Sequence, residues 1–239
     1  MLNFLRLFET YGAMALEKQL ALGDLLGDHD WWLDLQAGTI RFSERLTCRV
    51  QVLGTESHSD QSWLWAWANT QSSIPEPLLA ASRSLAELGE QEEIDQLRQA
   101  LLKLEGFDGH HLAMLGSGYC GADAYYRCPY EGGAAFVLLE APELRARLDH
   151  SPERMIRAYT LLLSMLPVSH QRTLVLYCEQ CGYEYTATAT RIEARNAAGQ
   201  QIVAEFDTAA RLSQIETTLP GGAQERGGLE ELPPLRENL

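Results

Sequence analysis

Several groups of residues in this chain have the types and spacing that chemistry uses. Gly116-Ser117-Gly118-Tyr119-Cys120-Gly121 fits G-x-G-x-x-G, and Glu140 follows about twenty residues on, where an acid would hold a ribose. A dinucleotide loop needs a strand before the glycines and a full helix after them. His110–Leu115 makes a poor strand and Pro129 leaves little room for a helix, so closely packed helix glycines are the favoured reading. Cys178-Glu179-Gln180-Cys181 is a lone C-x-x-C. A zinc site of the usual kind would need a second pair, and Cys120 and Cys128 have seven residues between them, unlike a knuckle. A redox pair belongs at a helix N-terminus, whereas this pair falls at a helix C-terminus, so two structural thiols are expected.

His110-His111 after Asp108 could supply a base with an orienting acid. No G-x-S-x-G or H-E-x-x-H motif supplies a partner, and helix-start histidines beside an aspartate are commoner as capping groups. Trp63, Trp65 and Trp67 alternate, which in a strand puts all three indoles and Asn69 on one face. They would floor a ligand pocket or fill the core under a helix; the core is favoured. Asp123 and Arg127, four apart with the acid first, would pair on a helix, supported by Tyr125 or Tyr126. The candidate binding residues are therefore Trp63, Trp65, Trp67, Asn69, His110, Asp123, Tyr126 and Arg127. No residue is assigned a catalytic role, and neither a metal nor a cofactor is expected.

The elements that must position these groups follow from periodicity. Apolar residues from Phe4 to Leu22 recur at helical spacing, so 3–26 reads as an amphipathic helix. Trp31–Leu35, Thr39–Ser43, Leu46–Glu56 and Trp63–Asn69 read as four strands. Their links are too short for parallel crossovers, so they form an antiparallel meander. Ser73-Ile74-Pro75-Glu76 has the capping-box pattern and starts a helix to about Leu88; Ile94, Leu97, Leu101 and Leu104 mark a second. A buried helix is expected over 109–127, ended by Pro129, then a strand Ala134–Glu140. Ser151-Pro152-Glu153 opens a helix that stops at Pro167. Ser169 as N-cap and Gly182 as C-terminal cap bound another. Tyr183–Arg195 and Gln200–Phe206 form a hairpin, and a short helix is expected from Thr208 to about Thr217.

The fold class is thus α+β: an N-terminal antiparallel meander, later strands and a C-terminal hairpin, packed by several helices. One domain over 1–218 is expected, with two lobes, 1–145 and 151–218, as the alternative. A flexible C-terminal tail is expected over 219–239, where Gly pairs, Glu and Pro-Pro accumulate.

Two stretches stand out together. One is Leu53-Gly54-Thr55-Glu56-Ser57 followed by Trp63-Leu64-Trp65-Ala66-Trp67-Ala68-Asn69. The other is Gly121-Ala122-Asp123-Ala124-Tyr125-Tyr126-Arg127 followed by Pro129-Tyr130 and Gly132-Gly133-Ala134. The combination resembles a widespread bacterial family of uncharacterised proteins catalogued as a domain of unknown function. The resemblance covers roughly residues 20–145 and implies membership without an activity or site residues.

Composition narrows the function classes. The 239 residues carry 19 Lys plus Arg against 33 Asp plus Glu, a formal net charge of −14. That acidity argues against a nucleic-acid partner, whose phosphates demand a basic face. No run approaches the ~18–20 apolar residues of a membrane span, so no membrane partner is expected. Arg6 and Glu9 break up the N-terminal apolar run, and five irregularly spaced cysteines suit a reduced, cytoplasmic protein. The activity stays unknown at this level. The favoured expectation is a non-catalytic bacterial binding protein, a partner-binding or immunity-type module whose acidic surface meets a basic protein. The alternative is a small-ligand protein or enzyme with a pocket near the Trp strand and His110, Asp123, Tyr126 and Arg127.

Overall fold

A computed structural model describes residues 2–218 and 224–226 of the chain. Helix α1 (Leu2–Leu26) is followed by β1 (Trp31–Asp34), β2 (Thr39–Phe42), β3 (Leu46–Ser57) and β4 (Ser62–Trp65). A 3-10 turn at Ala66–Ala68 and another at Glu76–Leu79 lead into α2 (Ala80–Gln91), α3 (Asp95–Arg98) and β5 (Leu101–Lys103). Then come α4 (Gly109–Tyr119), β6 (Ala124–Tyr130), β7 (Gly133–Glu140) and α5 (Pro142–Arg145). The C-terminal part holds α6 (Pro152–Met165), α7 (His170–Gln180) and the strands β8 (Glu184–Ala187), β9 (Arg191–Arg195), β10 (Gln201–Phe206), β11 (Leu212–Thr218) and β12 (Gln224–Arg226). The protein is α+β, and both of its sheets are antiparallel.

The first sheet is organised around β3. Of its twelve residues, those from Arg49 to Ser57 pair with β7 along one edge, while the other edge is shared: Leu46–Arg49 face β2, and Gly54–Ser57 face β4. The register slips at Leu53, so the strand bends there and the two halves of its shared edge diverge. Gly54 follows the bend. A Cβ on it would lie 2.5 Å from the Trp63 ring and 2.6 Å from the Leu64 carbonyl, so only glycine lets that indole lie against the strand.

Each face of this sheet carries a core. One unites α1, α4, Trp63, Trp65, Tyr125 and Phe136 and continues through α6 and α7 into the second sheet at Ile192, Ile202 and Ile215. The other gathers Leu22, Leu26, Phe42, Val50, Val52, Tyr126 and Val137. Adjacent Tyr125 and Tyr126 enter opposite cores, as the pleat requires. The second sheet runs β12-β11-β10-β9-β8. No helix among the described residues is long and apolar enough to cross a membrane.

Several element expectations need correction. The helix expected over 109–127 ends at Tyr119, Gly121 turns the chain at φ 66°, and Ala124–Tyr130 is a strand. Pro129 is no helix stop: it sits in β6, which among the described residues pairs only with β7, so its missing N–H is spent on an open edge. The second helix shrinks to Asp95–Arg98, with Leu101 and Leu102 in β5. Ser73 does not cap α2: it has φ 47°, and Glu76 pairs with Arg83. Ser169 makes no side-chain cap for α7, although Gly182 takes φ 72° after it as expected. Tyr183–Arg195 holds two strands, and the expected helix after Thr208 is β11. The tail expected over 219–239 lies outside the described residues except at Gln224–Arg226, which pair with β11.

Candidate functional site

The eight residues singled out from the sequence do not form one site. Trp63 and Trp65 are fully buried in the first core, their rings 5.4 Å apart at 80°. Trp65 donates its indole N–H to the Gln96 carbonyl at 3.1 Å, whereas the buried Trp63 and Trp67 indole nitrogens have no hydrogen-bond partner. The strand ends at Trp65, so Trp67 lies in the following 3-10 turn instead of completing the alternation. Asn69 accepts from the Ser72 N–H at 3.1 Å and shapes the next turn. The three tryptophans pack in the core, and Asn69 belongs to the turn beside it.

Asp123 and Arg127 sit in or beside a strand, so their spacing of four gives no helical pairing. The Asp123 carboxylate is buried and accepts from the Ala141 N–H at 2.7 Å and from Arg145 Nε and Nη2 at 2.8 and 3.0 Å. It anchors α5 to the end of β6. Tyr126 faces the second core, where its hydroxyl lies 3.0 Å from His29 Nε2 and its ring packs edge-on against Phe42.

His110 and Arg127 do come together, with partners that sequence reasoning missed. His110 Nδ1 lies 3.3 Å from the Tyr125 hydroxyl, and its ring packs edge-on against Phe136. Glu56 on β3 accepts the Gly109 N–H at 2.9 Å, placing a carboxylate at the positive end of α4. Arg127 Nη2 donates to His58 Nε2 at 3.2 Å. Asp108 caps α4 by accepting the His111 N–H at 3.0 Å. Burial pushes the His110 pKa down, and Arg127 adds to this, while Asp108 and Glu56 oppose it. Burial also raises the Tyr125 phenol, which therefore keeps its proton. The group can take up a proton on acidification, and its geometry holds helix α4 on the sheet.

A pH dependence follows. A depressed His110 pKa means the unfolded chain binds the proton better, so this group's contribution to stability falls as pH drops below about 6.5. Urea midpoints measured at pH 7.5 and 5.5 should show a smaller acid-side loss in His110→Gln than in the parent chain. An equal or larger loss in the variant contradicts this sign.

The glycine motif and the cysteine pair are structural in their geometry. Gly116 and Gly118 lie inside α4, and a Cβ on Gly118 would sit 2.4 Å from Tyr11 Cβ, so this glycine permits the close crossing of α1 and α4. Cys178 is buried within α7 and Cys181 caps its C-terminus. Burial drives the Cys178 thiol up to about 12 and the Cys181 thiol higher still, the reverse of a redox nucleophile.

Two surface features remain. A cleft of about 720 Å³ lies between α2, the end of α4 and the sheet, lined by Gln51, Ser84, Cys120, Gly121, Glu140 and Arg145. Its Gln51 is already engaged, donating to the Pro77 carbonyl and accepting the Ala81 N–H. The second feature is the outer edge of β1, which is unpaired among the described residues. Trp32 is 69% exposed there, with Asp30 and Asp34 exposed beside it. The Ser43 N–H bonds the Asp30 carbonyl, and the register pairs Trp32 with Arg41 and Asp34 with Thr39. By alternation, the N–H and C=O groups of Trp31 and Leu33 point away from β2, to the open side.

A model of a family of unknown function (DUF6882) matches residues 5–142. The chain belongs to this family. The matched span runs from α1 to the start of α5 and contains both stretches on which the resemblance rested; it leaves out α6, α7 and the second sheet. No curated protein and no solved structure matches the chain significantly.

Proposed function

We propose that this protein is a non-catalytic, cytoplasmic binding module that captures an extended basic segment of a protein partner along the free edge of β1. The observation that carries the reading is the exposed Trp32 on an edge strand whose outward backbone groups are unpaired among the described residues. Large aromatics of this kind are typical anchors of protein interfaces. The surroundings set the sign of the partner. Asp30 and Asp34 are exposed on either side of Trp32 within a chain of net charge −14, while Arg41 stands opposite Trp32 on β2 and Asp24 is paired with Arg154. An incoming Lys or Arg would meet carboxylates and could stack on the indole. The contrast with β6 supports the choice of edge, since Pro129 removes a donor there and β1 has no such guard. A bacterial immunity-type role is the specific form of this reading.

Fluorescence anisotropy with two labelled peptides tests it, one alternating Lys and Val and the other Glu and Val. The basic peptide should bind, weaken with added salt and bind at least about tenfold less well to Trp32→Ala and to Leu33→Pro, which removes one outward N–H. Failure of the basic peptide to bind, or equal binding by both variants, overturns the assignment. The small-ligand alternative rests on the cleft beside Gln51 and Ser84, away from the Trp strand. A small molecule whose ligand-observed NMR signal is lost in Ser84→Trp would favour it.

A further inference from the structure

Glu17 lies in the middle of α1 and is completely buried. Its two carboxylate oxygens are each 3.0 Å from His150 Nδ1, and the Tyr177 hydroxyl donates to Oε2. The Cys181 thiol completes the group: one ligand atom each from Glu17, His150 and Cys181 all lie within 4.8 Å of one another. Three separate parts of the chain supply them, namely α1, the segment before α6, and the C-terminal cap of α7. A cation with bonds of about 2.0–2.3 Å holds tetrahedral donors roughly 3.3–3.8 Å apart, so binding draws this group closer by small side-chain rotations.

We infer that Glu17, His150 and Cys181 form a binding site for a zinc-type divalent cation, with a fourth position left for water. The donor set decides the class of ion. One imidazole nitrogen and one sulfur disfavour magnesium and calcium, while a mixed carboxylate, imidazole and thiolate set suits zinc. The charges balance, because a carboxylate and a thiolate neutralise a dication; on binding the thiol proton passes to solvent and His150 Nδ1 gives up the proton it shares with Glu17. Tyr177 is placed to orient the Glu17 carboxylate from outside the ligand set.

The surroundings hold His150 in an unfavourable backbone conformation. It has φ 48°, a region that non-glycine residues seldom occupy. The segment is pinned there by the Tyr183 hydroxyl, which donates to the His150 carbonyl at 2.7 Å and is itself bonded by Asn196 at 3.2 Å. Strain of this kind is characteristically kept where a side chain must be delivered to a fixed point. The His150 side chain is 30% exposed, so an ion can reach the carboxylate from that side.

The test is a cobalt(II) titration of the full chain after treatment with a chelator, followed by zinc(II) competition. Saturable one-to-one binding is expected, with a thiolate-to-cobalt charge-transfer band in the near ultraviolet that zinc abolishes. Zinc should also raise the melting temperature. Cys181→Ser should lose the band and bind about a hundredfold or more weakly, whereas Cys178→Ser, altered one turn away, should keep both. Glu17 is completely buried beneath two hydrogen-bond partners, so the test uses the half-buried Cys181 position and not a Glu17 variant. Absence of a saturable titration, binding without the thiolate band, or a band that survives in Cys181→Ser overturns the site.

Discussion

Trp65→Ala should cost about 3–5 kcal/mol of folding stability, measured by urea unfolding. Trp65 is fully buried, packs edge-on with Trp63 and donates to the Gln96 carbonyl, so truncation leaves both a cavity and an unpaired acceptor. A conservative pair sharpens the expectation. Trp65→Phe forfeits the hydrogen bond, while Trp63→Phe removes an indole N–H that has no partner, so the first should cost more than the second. At temperatures where the Trp65 variants remain folded, capture of the basic peptide should be unchanged. A Trp65→Ala chain of nearly parental stability that had lost peptide binding would return the Trp strand to the role of a ligand floor.

Asp123→Ala is the second large effect, about 3 kcal/mol or more. The carboxylate is buried, and three donors converge on it from α5 and the residue before it. Removing it leaves the Ala141 N–H without its acceptor and frees Arg145, whose largely exposed side chain can return to water. That escape keeps the loss toward the low end of the range for broken buried pairs. A double-mutant cycle between Asp123→Ala and Arg145→Ala should give a coupling of roughly 1 kcal/mol or more. The same cycle with Arg127→Ala should give almost none, because Arg127 donates to His58 instead. Strong coupling to Arg127 would contradict the strand assignment of β6.

Much of the architecture was legible because local pattern and final environment agree. The N-terminal helix, the four-strand meander, the helix beginning at Ser151-Pro152-Glu153 and the strand before Ala141 all carry a clear period or a strong cap. The region after Gly109 misled because two elements share one apolar run. Leu112, Leu115, Tyr119 and Tyr126 keep a helical spacing by coincidence, and Pro129 signals a break unless the strand is known to be an edge. The same blindness affected the site. Arg145 lies twenty-two residues from Asp123, and Glu56 fifty-three from Gly109. Short-range spacing says nothing about such pairs, which depend on β3 and β7 lying side by side. Glu17 was invisible for the same reason: on a helical wheel it is one more acid, and only α7 and the His150 segment bury it.

The order in which the chain is made places a demand on α1. Its face toward α6 and α7 is covered by residues that follow it by well over a hundred positions: Tyr177 reaches Glu17, and Ser169 donates to Glu9, each across 160 residues of sequence. During translation this helix leaves the ribosome long before those partners exist, and β3 with its neighbours can shelter only the other side. The nascent protein must therefore carry an exposed, greasy helical flank until α7 arrives, a natural handhold for chaperones.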